Sequence, residues 1–384
     1  RRLTVPIPSP RMRRAAALLL ASHLAAVAVA ARLRAGRQPE VPPVEPGFFR
    51  VAVAEGRNPS RCNFTGYLDD CDAHLERIRV VTRPKPEPLS GSALVKIIAG
   101  SVNPHEWETL WSSGSPRSTY VNNTLGLDFA GVVEETGVGC AFSPGDEVWG
   151  TGRDNTDAEY AVLPCASMGR KPANLSWEEA ASLPIVALTD YYGFVRVGAP
   201  WRPTQERPNG PTVLIIGGAG GTGFAAIQIA KALGAGKVIT TCSPSHFDFV
   251  KSMGADEVID YHTANWWQVY PKGSVDIIYD CIPQLKAGQH AYHVLSPRGR
   301  YVSLLPQSLA GPIQALMHPE VSQMFWLLVM EKTTQHLEPI KQLVESGKLK
   351  PVVDSVYGLS QIREAFEHSM GRHTTGKIVL RMDK

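Results

Sequence analysis

The stretch LIIGGAGGTGFAAIQIA, Leu214 to Ala230, limits what this chain can fold into more than any other segment. A short apolar run meets a cluster of glycines and then a longer apolar segment, the pattern of a buried strand, a tight turn and a helix. Gly218, Gly220 and Gly223 have the spacing G-x-G-x-x-G. In such a turn the first glycine serves the sharp bend. The second lets the backbone approach a pyrophosphate with no Cβ in the way, and the third lets the helix lie close on the strand. The N–H groups at the helix start, from Gly221 and Thr222 onward, lack intrahelical partners, and the peptide dipoles there favour negative charge. Glycine spacing alone also suits a turn kept for packing. In its strand, loop and helix context it predicts a dinucleotide-binding site.

The segments after Pro211 extend this pattern. TVLIIGG, KVITTC, DEVID, VDIIYDC and GRYVSL are strand-like runs separated by helix-like stretches such as FAAIQIAKALGA and SHFDFVKSMGA. That alternation predicts βαβ units and a parallel sheet. Phe49 to Pro184 reads differently, because LVKIIAGSV, GLDFAGVVEETG, GDEVWG and AEYAVLP are short β runs between turns, as in a compact and mostly β unit. Ser176, with Glu179 three residues on, forms a capping box that opens a short helix before Pro184. After Leu305 the pattern predicts a long helix from MFWLLVMEKT onward, a helix over LEPIKQLVESGKL and a strand in KPVVDSV. A helix in SQIREAFEHS and a strand in GKIVLRM complete the tail. The returning β content predicts that the tail rejoins the first unit. With 384 residues, 43% of them apolar, the chain has the length and composition for two globular units.

About 20 residues past a glycine fingerprint, a site selective for NAD presents Asp or Glu to the ribose 2′-hydroxyl. Here KVITTCSPSH puts Ser243 at that place and His246 just beyond it. A carboxylate would repel a 2′-phosphate, whereas the Ser243 hydroxyl donates to one. His246 adds a second donor and some positive charge, and Tyr261 in VIDYH closes the far side. These residues predict NADPH as the cofactor, with Ser-Pro-Ser as an ordinary helix cap the alternative.

Charge is distributed unevenly. Residues 1–46 hold eight Arg and two Glu, a local +6 against +3 for the whole chain, so the remainder carries −3. That mildly acidic body lacks the footprint of a nucleic-acid binder. In the first segment an Arg cluster precedes the 17-residue apolar run Ala15 to Ala31, with no acid before Glu40. It reads as an address, and the composition fits both organelle import and secretory export. Membrane association through a span is a third option, although the run, interrupted by Ser22 and His23, is at the short end of the roughly 17 to 25 residues required. The six cysteines, at 62, 71, 140, 165, 242 and 281, include no Cys-x-x-Cys pair, and most read as buried thiols. A disulfide between Cys62 and Cys71 is expected only if the address is secretory, with two free thiols in a surface insertion the alternative, and the sequons at Asn63, Asn122 and Asn174 depend on the same condition.

Eight segments together carry a family likeness: AGSVNPHEW (99–107), GLDFAGVVEETG (126–137), PGDEVWG (144–150), AASLPIVALT (180–189), the glycine segment (215–235), MGADEVIDY (253–261), GKLKPVVD (347–354) and GRHTTGKIVL (371–380). From about Arg79 to Met382 the chain resembles the medium-chain dehydrogenase/reductase superfamily in its zinc-free quinone oxidoreductase and enoyl reductase branch. Within that branch it is most similar to the reticulon-interacting mitochondrial reductases. The resemblance implies an α/β fold, a GroES-like β domain interrupted by a Rossmann domain with a doubly wound parallel sheet. It implies a targeting segment and linker over 1–46, a GroES-like first part over 47–187, a Rossmann NADPH-binding domain over 188–327 and a return to the GroES-like domain over 328–384. It also favours a mitochondrial address, with plastid or secretory pathway as alternatives, and implies a homodimer.

Matched residue by residue, the family's 2′-phosphate contacts fall on Ser243 and Tyr261, and a cofactor-binding Arg on Arg372. His246 stands where several relatives have Lys. Asn103 and Thr189 match positions lining the nicotinamide pocket; a turn residue before Pro104 and a helix hydroxyl are the plain alternatives. The zinc-dependent relatives need a Cys in the first loop and a His-Glu pair near the glycine-rich strand, where this chain has SVNPHEW and GLDFAG. No metal site is therefore expected. His105 and Glu106 are adjacent, and neighbouring side chains of an extended segment point oppositely. Enoyl-thioester relatives carry a Tyr donor soon after the Asn loop; Tyr120 is the candidate here, in a motif, SPRSTYVNN, that does not match. Tyr191 and Tyr192, just past Thr189, are alternative donors, with packing between the domains as their plainer role.

Without a metal to polarise a carbonyl, hydride delivery suits an acceptor that is already electrophilic. The expected activity is NADPH-dependent reduction of small quinones or α,β-unsaturated carbonyls. An interaction or sensor protein with weak catalysis, or an enoyl-thioester reductase, stands as the alternative.

Overall fold

A computed structural model describes residues 44–54, 75–110, 123–153, 155–282, 286–304, 308–325 and 334–382. Eight strands come first: β1 (Phe48–Ala54), β2 (Ile78–Pro84), β3 (Ser92–Ser101), β4 (Asn123–Thr124), β5 (Asp128–Thr136), β6 (Glu147–Thr151), β7 (Tyr160–Pro164) and β8 (Met168–Arg170). β1 pairs with β2 and β4 in a small antiparallel sheet. The larger sheet is built around β3 and β5; alternation along β5 and β6 sorts their side chains to two faces, and a register shift between Ile97 and Ala99 does so in β3. Ile97, Phe129, Val133 and Val148 enter one core, which the carboxyl-terminal segment joins through Phe366, Ile378 and Leu380. Ala99, Ala130 and Trp149 face the other way and share one core with the helices and strands that follow.

The following strands are β9 (Thr212–Ile216), β10 (Lys237–Cys242), β11 (Glu257–Asp260), β12 (Val275–Asp280), β13 (Leu295–Ser303) and β14 (Ser322–Phe325). They form one sheet in the order β11-β10-β9-β12-β13-β14, with every neighbouring pair parallel. This is the doubly wound order of a Rossmann fold, and it reverses direction between β9 and β12. Ligands of such sheets bind beyond the strand carboxyl ends at that reversal. The chain then returns, because β15 (Val353–Gly358) and β16 (Lys377–Arg381) join the larger sheet of the first unit, β16 beside β3.

Ser176 is the N-cap of the helix Trp177–Ala181, its hydroxyl accepting from the Glu179 N–H while Glu179 accepts from the Ser176 N–H. Such a cap contributes about 1 kcal/mol.

Two expectations fail. Met324 and Phe325 belong to β14, paired with Val302 and Ser303, rather than to a helix starting at MFWLLV. Short apolar runs fit strand and helix equally, and the parallel ladder decides here. Cys140 and Cys165 are not free thiols but a disulfide with Cα atoms 5.6 Å apart, tying the β5–β6 turn to the turn before β8. Cys242 and Cys281 are free. Cys62, Cys71, Asn63 and Asn122 lie outside the described residues, while the Asn174 amide donates to the Val344 carbonyl. Among the described residues no helix is long and apolar enough to cross a membrane, and residues 1–43 are not among them.

Candidate cofactor and acceptor site

The glycine loop leaves β9 and opens the helix Gly221–Ala232. The left-handed residue is Gly217, at φ 86°, so the bend is made one position earlier than expected. Gly218 serves proximity instead: a Cβ there would fall 2.1 Å from the Thr240 hydroxyl of β10. At Gly223 it would fall 2.1 Å from the Gly217 carbonyl, so the helix lies against the turn as the spacing requires. Gly220 differs, because the nearest atom to an added Cβ is 3.7 Å away. Its freedom is of no use to the fold and is what a close-lying ligand needs. Gly220 is also the helix N-cap, and no side chain caps the N–H groups of this first turn. The cradle therefore fits a pyrophosphate.

At the end of β10, Ser243, Ser245 and His246 form one hydrogen-bonded group. The His246 Nδ1 lies 2.8 Å from the Ser243 hydroxyl and 3.1 Å from the Ser245 hydroxyl. Its Nε2 lies 2.9 Å from the hydroxyl of Thr375, 129 residues away in sequence. Tyr261 follows β11, whose last residue, Asp260, pairs with Cys242 just before Ser243, so both side chains leave adjacent strand ends. Tyr261 is 56% exposed, with His262 stacked on it. Arg372, at φ 55°, lies three residues before Thr375 on the segment that reaches His246. Thr375 was invisible in the sequence, since only the return of the tail brings it here.

The other end of the cleft is buried and charged. Asn103 precedes the helix Pro104–Leu110, and Glu106 accepts its N–H at 2.7 Å, half of a capping box. The Asn103 amide donates to Asp128 at 2.8 Å and to the Ser101 carbonyl at 3.3 Å, and its oxygen accepts from the Lys377 ammonium at 2.6 Å. Lys377 also donates to the Val102 carbonyl and lies 3.5 Å from Asp128. Asp128 further accepts from the Ser101 hydroxyl and from the Ile185 N–H. Ile185 lies in the first turn of the helix Pro184–Arg196, whose next turn carries half-buried Thr189. Asp128 thus brings Asn103 and the Thr189 helix together, and Asn103 acts from within a network. Tyr120 lies outside the described residues.

Burial shifts this network's titration. It holds the Lys377 ammonium below the usual lysine range, with Asp128 and Glu106 opposing that. It pushes Glu106 well up, assisted by the charge of Asp157, and pushes Asp157 to about 7 with Asp128 adding to the rise. Neither Asp157 oxygen, nor Glu106 Oε1, has a hydrogen-bond partner among the described residues, and burial disfavours the anion of both acids. Asp190, next to Thr189, is buried and pushed well up by burial, with the Tyr279 hydroxyl partly opposing that. His105 and Glu106 sit on a helix, not an extended segment, yet they still part: His105 is exposed and Glu106 buried. Tyr192 packs against His336, consistent with a packing role.

Together the doubly wound sheet, the phosphate cradle and the polar cleft define a nicotinamide-dependent oxidoreductase. Comparison with known proteins makes the class specific. Residues 90–195 match the alcohol dehydrogenase GroES-like domain, and residues 253–380 match the zinc-binding dehydrogenase domain. The chain is 30% identical to the mitochondrial NAD(P)H oxidoreductase RTN4IP1 of Drosophila melanogaster, over 76% of this chain and 79% of that one. It is also 30% identical to the 2-methylene-furan-3-one reductase of Solanum lycopersicum, over 77% and 73%. The solved quinone oxidoreductase of Coxiella burnetii superimposes with a TM-score of 0.73 at 26% identity, covering 87% of this chain and 99% of that one. The chain belongs to the medium-chain dehydrogenase/reductase superfamily, in its zinc-free quinone oxidoreductase branch. Although one matching domain is described by zinc, the described residues of this chain contain no group of three or more His, Cys, Asp or Glu side chains that could hold a metal ion.

Proposed function

We propose that this protein is an NADPH-dependent reductase of quinones and α,β-unsaturated carbonyls. The observation that carries the cofactor choice is the group Ser243, Ser245, His246 and Thr375, in which hydroxyls and an imidazole stand where an NAD-selective site has a carboxylate. On this reading the serine hydroxyls now turned to the imidazole re-aim at phosphate oxygens, and Tyr261 and Arg372 supply further contacts. Arg372 keeps a long side chain at a backbone conformation that favours glycine, against a cost of about 1 kcal/mol, which suits a ligand contact.

The bound nicotinamide supplies the hydride. The chain holds the pyrophosphate on the Gly220 turn, excludes water with the apolar junction around Trp149 and Leu183, and fixes the wall of the acceptor pocket through Asn103 and Thr189. An electrophilic acceptor needs no Lewis acid, so orientation and a proton for the developing oxygen are the remaining requirements. The oxidoreductase names of the relatives support quinone and enone acceptors. We assign the amino-terminal segment to an organelle address, mitochondrial first, in line with the RTN4IP1 relative. The Cys140–Cys165 disulfide favours an oxidising compartment and keeps the secretory alternative in play. The functional test is NADPH oxidation by the purified protein with a panel of quinones, enones and enoyl thioesters. Turnover of quinones or enones supports the proposal, turnover of thioesters alone moves the assignment to that branch, and tight cofactor binding without turnover favours a sensor.

A further inference from the structure

The segment Thr375-Gly376-Lys377 touches both ends of the cofactor cleft in three consecutive residues. Thr375 meets His246, and its own N–H is held by Asp354. Gly376 donates its N–H to the Ala219 carbonyl at 3.2 Å and bridges to Gly220 in the glycine loop. A Cβ at Gly376 would fall 2.5 Å from the Val352 carbonyl, so the backbone is seated with no room to shift. Lys377 then runs past Gly221, where its Cδ would lie 2.9 Å from an added Cβ, and ends on Asn103 and Asp128. Its side chain is 4% exposed. Lysine inside a protein is costly unless its donors are used, and here they hold the Asn103 oxygen and the Val102 carbonyl beside the Asp128 carboxylate. With the Asn103 amide nitrogen turned to Asp128 and the Ser101 carbonyl and its oxygen to Lys377, the ammonium and the carboxylate together set which way the Asn103 head faces.

We propose that Lys377 is a positioning residue for hydride transfer: anchored through Gly376 on the cofactor loop, it fixes the Asn103 amide and Asp128 against the Thr189 helix, so that the acceptor wall is registered to the bound cofactor. This rests on the reductase assignment above. The segment thereby links the phosphate-binding rim to the acceptor wall through one stretch of backbone.

The test compares wild type with Lys377→Arg, Lys377→Met and the double variant Asp128→Asn/Lys377→Met, which removes both buried charges so that neither is left unpaired. Four readouts are taken: NADPH affinity by fluorescence titration, kcat and KM for a quinone or enone, the primary isotope effect with NADPH deuterated at the transferred position, and hydrogen exchange of residues 98–108 in the cofactor-free protein. The double variant is expected to bind NADPH within about 3-fold of wild type, to lose roughly 100-fold in kcat with a small change in KM, and to show a larger isotope effect. Exchange of the Asn103 segment is expected to rise, and Lys377→Arg to recover part of kcat. The proposal is overturned if the folded double variant keeps wild-type kcat, or if kcat falls only in proportion to lost NADPH binding with exchange unchanged. A wild-type protein that reduces no acceptor would instead remove the reductase assignment; the exchange experiment still reads whether Lys377 fixes Asn103.

Discussion

The two ends of the cofactor cleft are built on opposite principles. At the outer end Ser243, Ser245 and His246 are accessible and hydrogen-bond to one another, and Tyr261 is exposed at the end of the neighbouring strand. At the inner end Asp128 and Lys377 are charged, all but sealed from water, and joined to Asn103, Ser101 and Ile185. An accessible hydroxyl can exchange its partner for an arriving phosphate at little cost, so the outer end suits recognition. A buried charge cannot change partners without a large desolvation penalty, so the inner end suits fixed geometry. Recognition and orientation are thus separated in space, and the glycine loop lies between them.

That separation breaks most visibly at Gly220. Gly220→Val should lower the thermal midpoint only slightly, because the nearest atom to the added Cβ is 3.7 Å away, yet weaken both NADPH and NADH by at least about 100-fold. A large fall in the midpoint would mean that Gly220 serves packing, as Gly223 does.

A smaller effect is expected from Ser243→Asp, which adds a carboxylate to the outer end alone. NADPH should weaken by about 30-fold and NADH by no more than about 3-fold, in parallel titrations. Equal loss for both would end the division of labour between the two ends.

Smallest, and confined to the inner end, is a pH effect. Asp157 is raised to about 7 in the folded state, so the protonated form stabilises the fold at low pH and that contribution is lost as pH rises from about 4 through about 7. Asp157→Asn should match wild type near pH 4 and exceed it by about 3 °C in thermal midpoint at pH 8. A gain that is the same at every pH would show that Asp157 is not protonated in the native protein.

How much of this could be read in the sequence follows the range of each interaction. The glycine loop, the Ser176–Glu179 cap and the alternating strands of the parallel sheet are local, and their patterns identify them. The loop residue that takes the left-handed bend was misplaced by one, because a run of glycines does not reveal which of them turns. The Cys140–Cys165 pair spans 25 residues and the Lys377–Asn103 contact 274, and neither has a spacing rule. Both exist only because strands from different parts of the chain meet in one sheet. Asn103 was legible as a site residue, but its dependence on Lys377 required knowing that β16 lies beside β3.

The central claim is that a ribose 2′-phosphate is received by hydroxyls and an imidazole at the end of β10. Its most direct test is calorimetric titration of the wild-type protein with NADPH and with NADH under the same salt and pH. NADPH is expected to bind at least about 10-fold more tightly, a difference of about 1.4 kcal/mol. Tighter binding of NADH, or no binding of either, would contradict it.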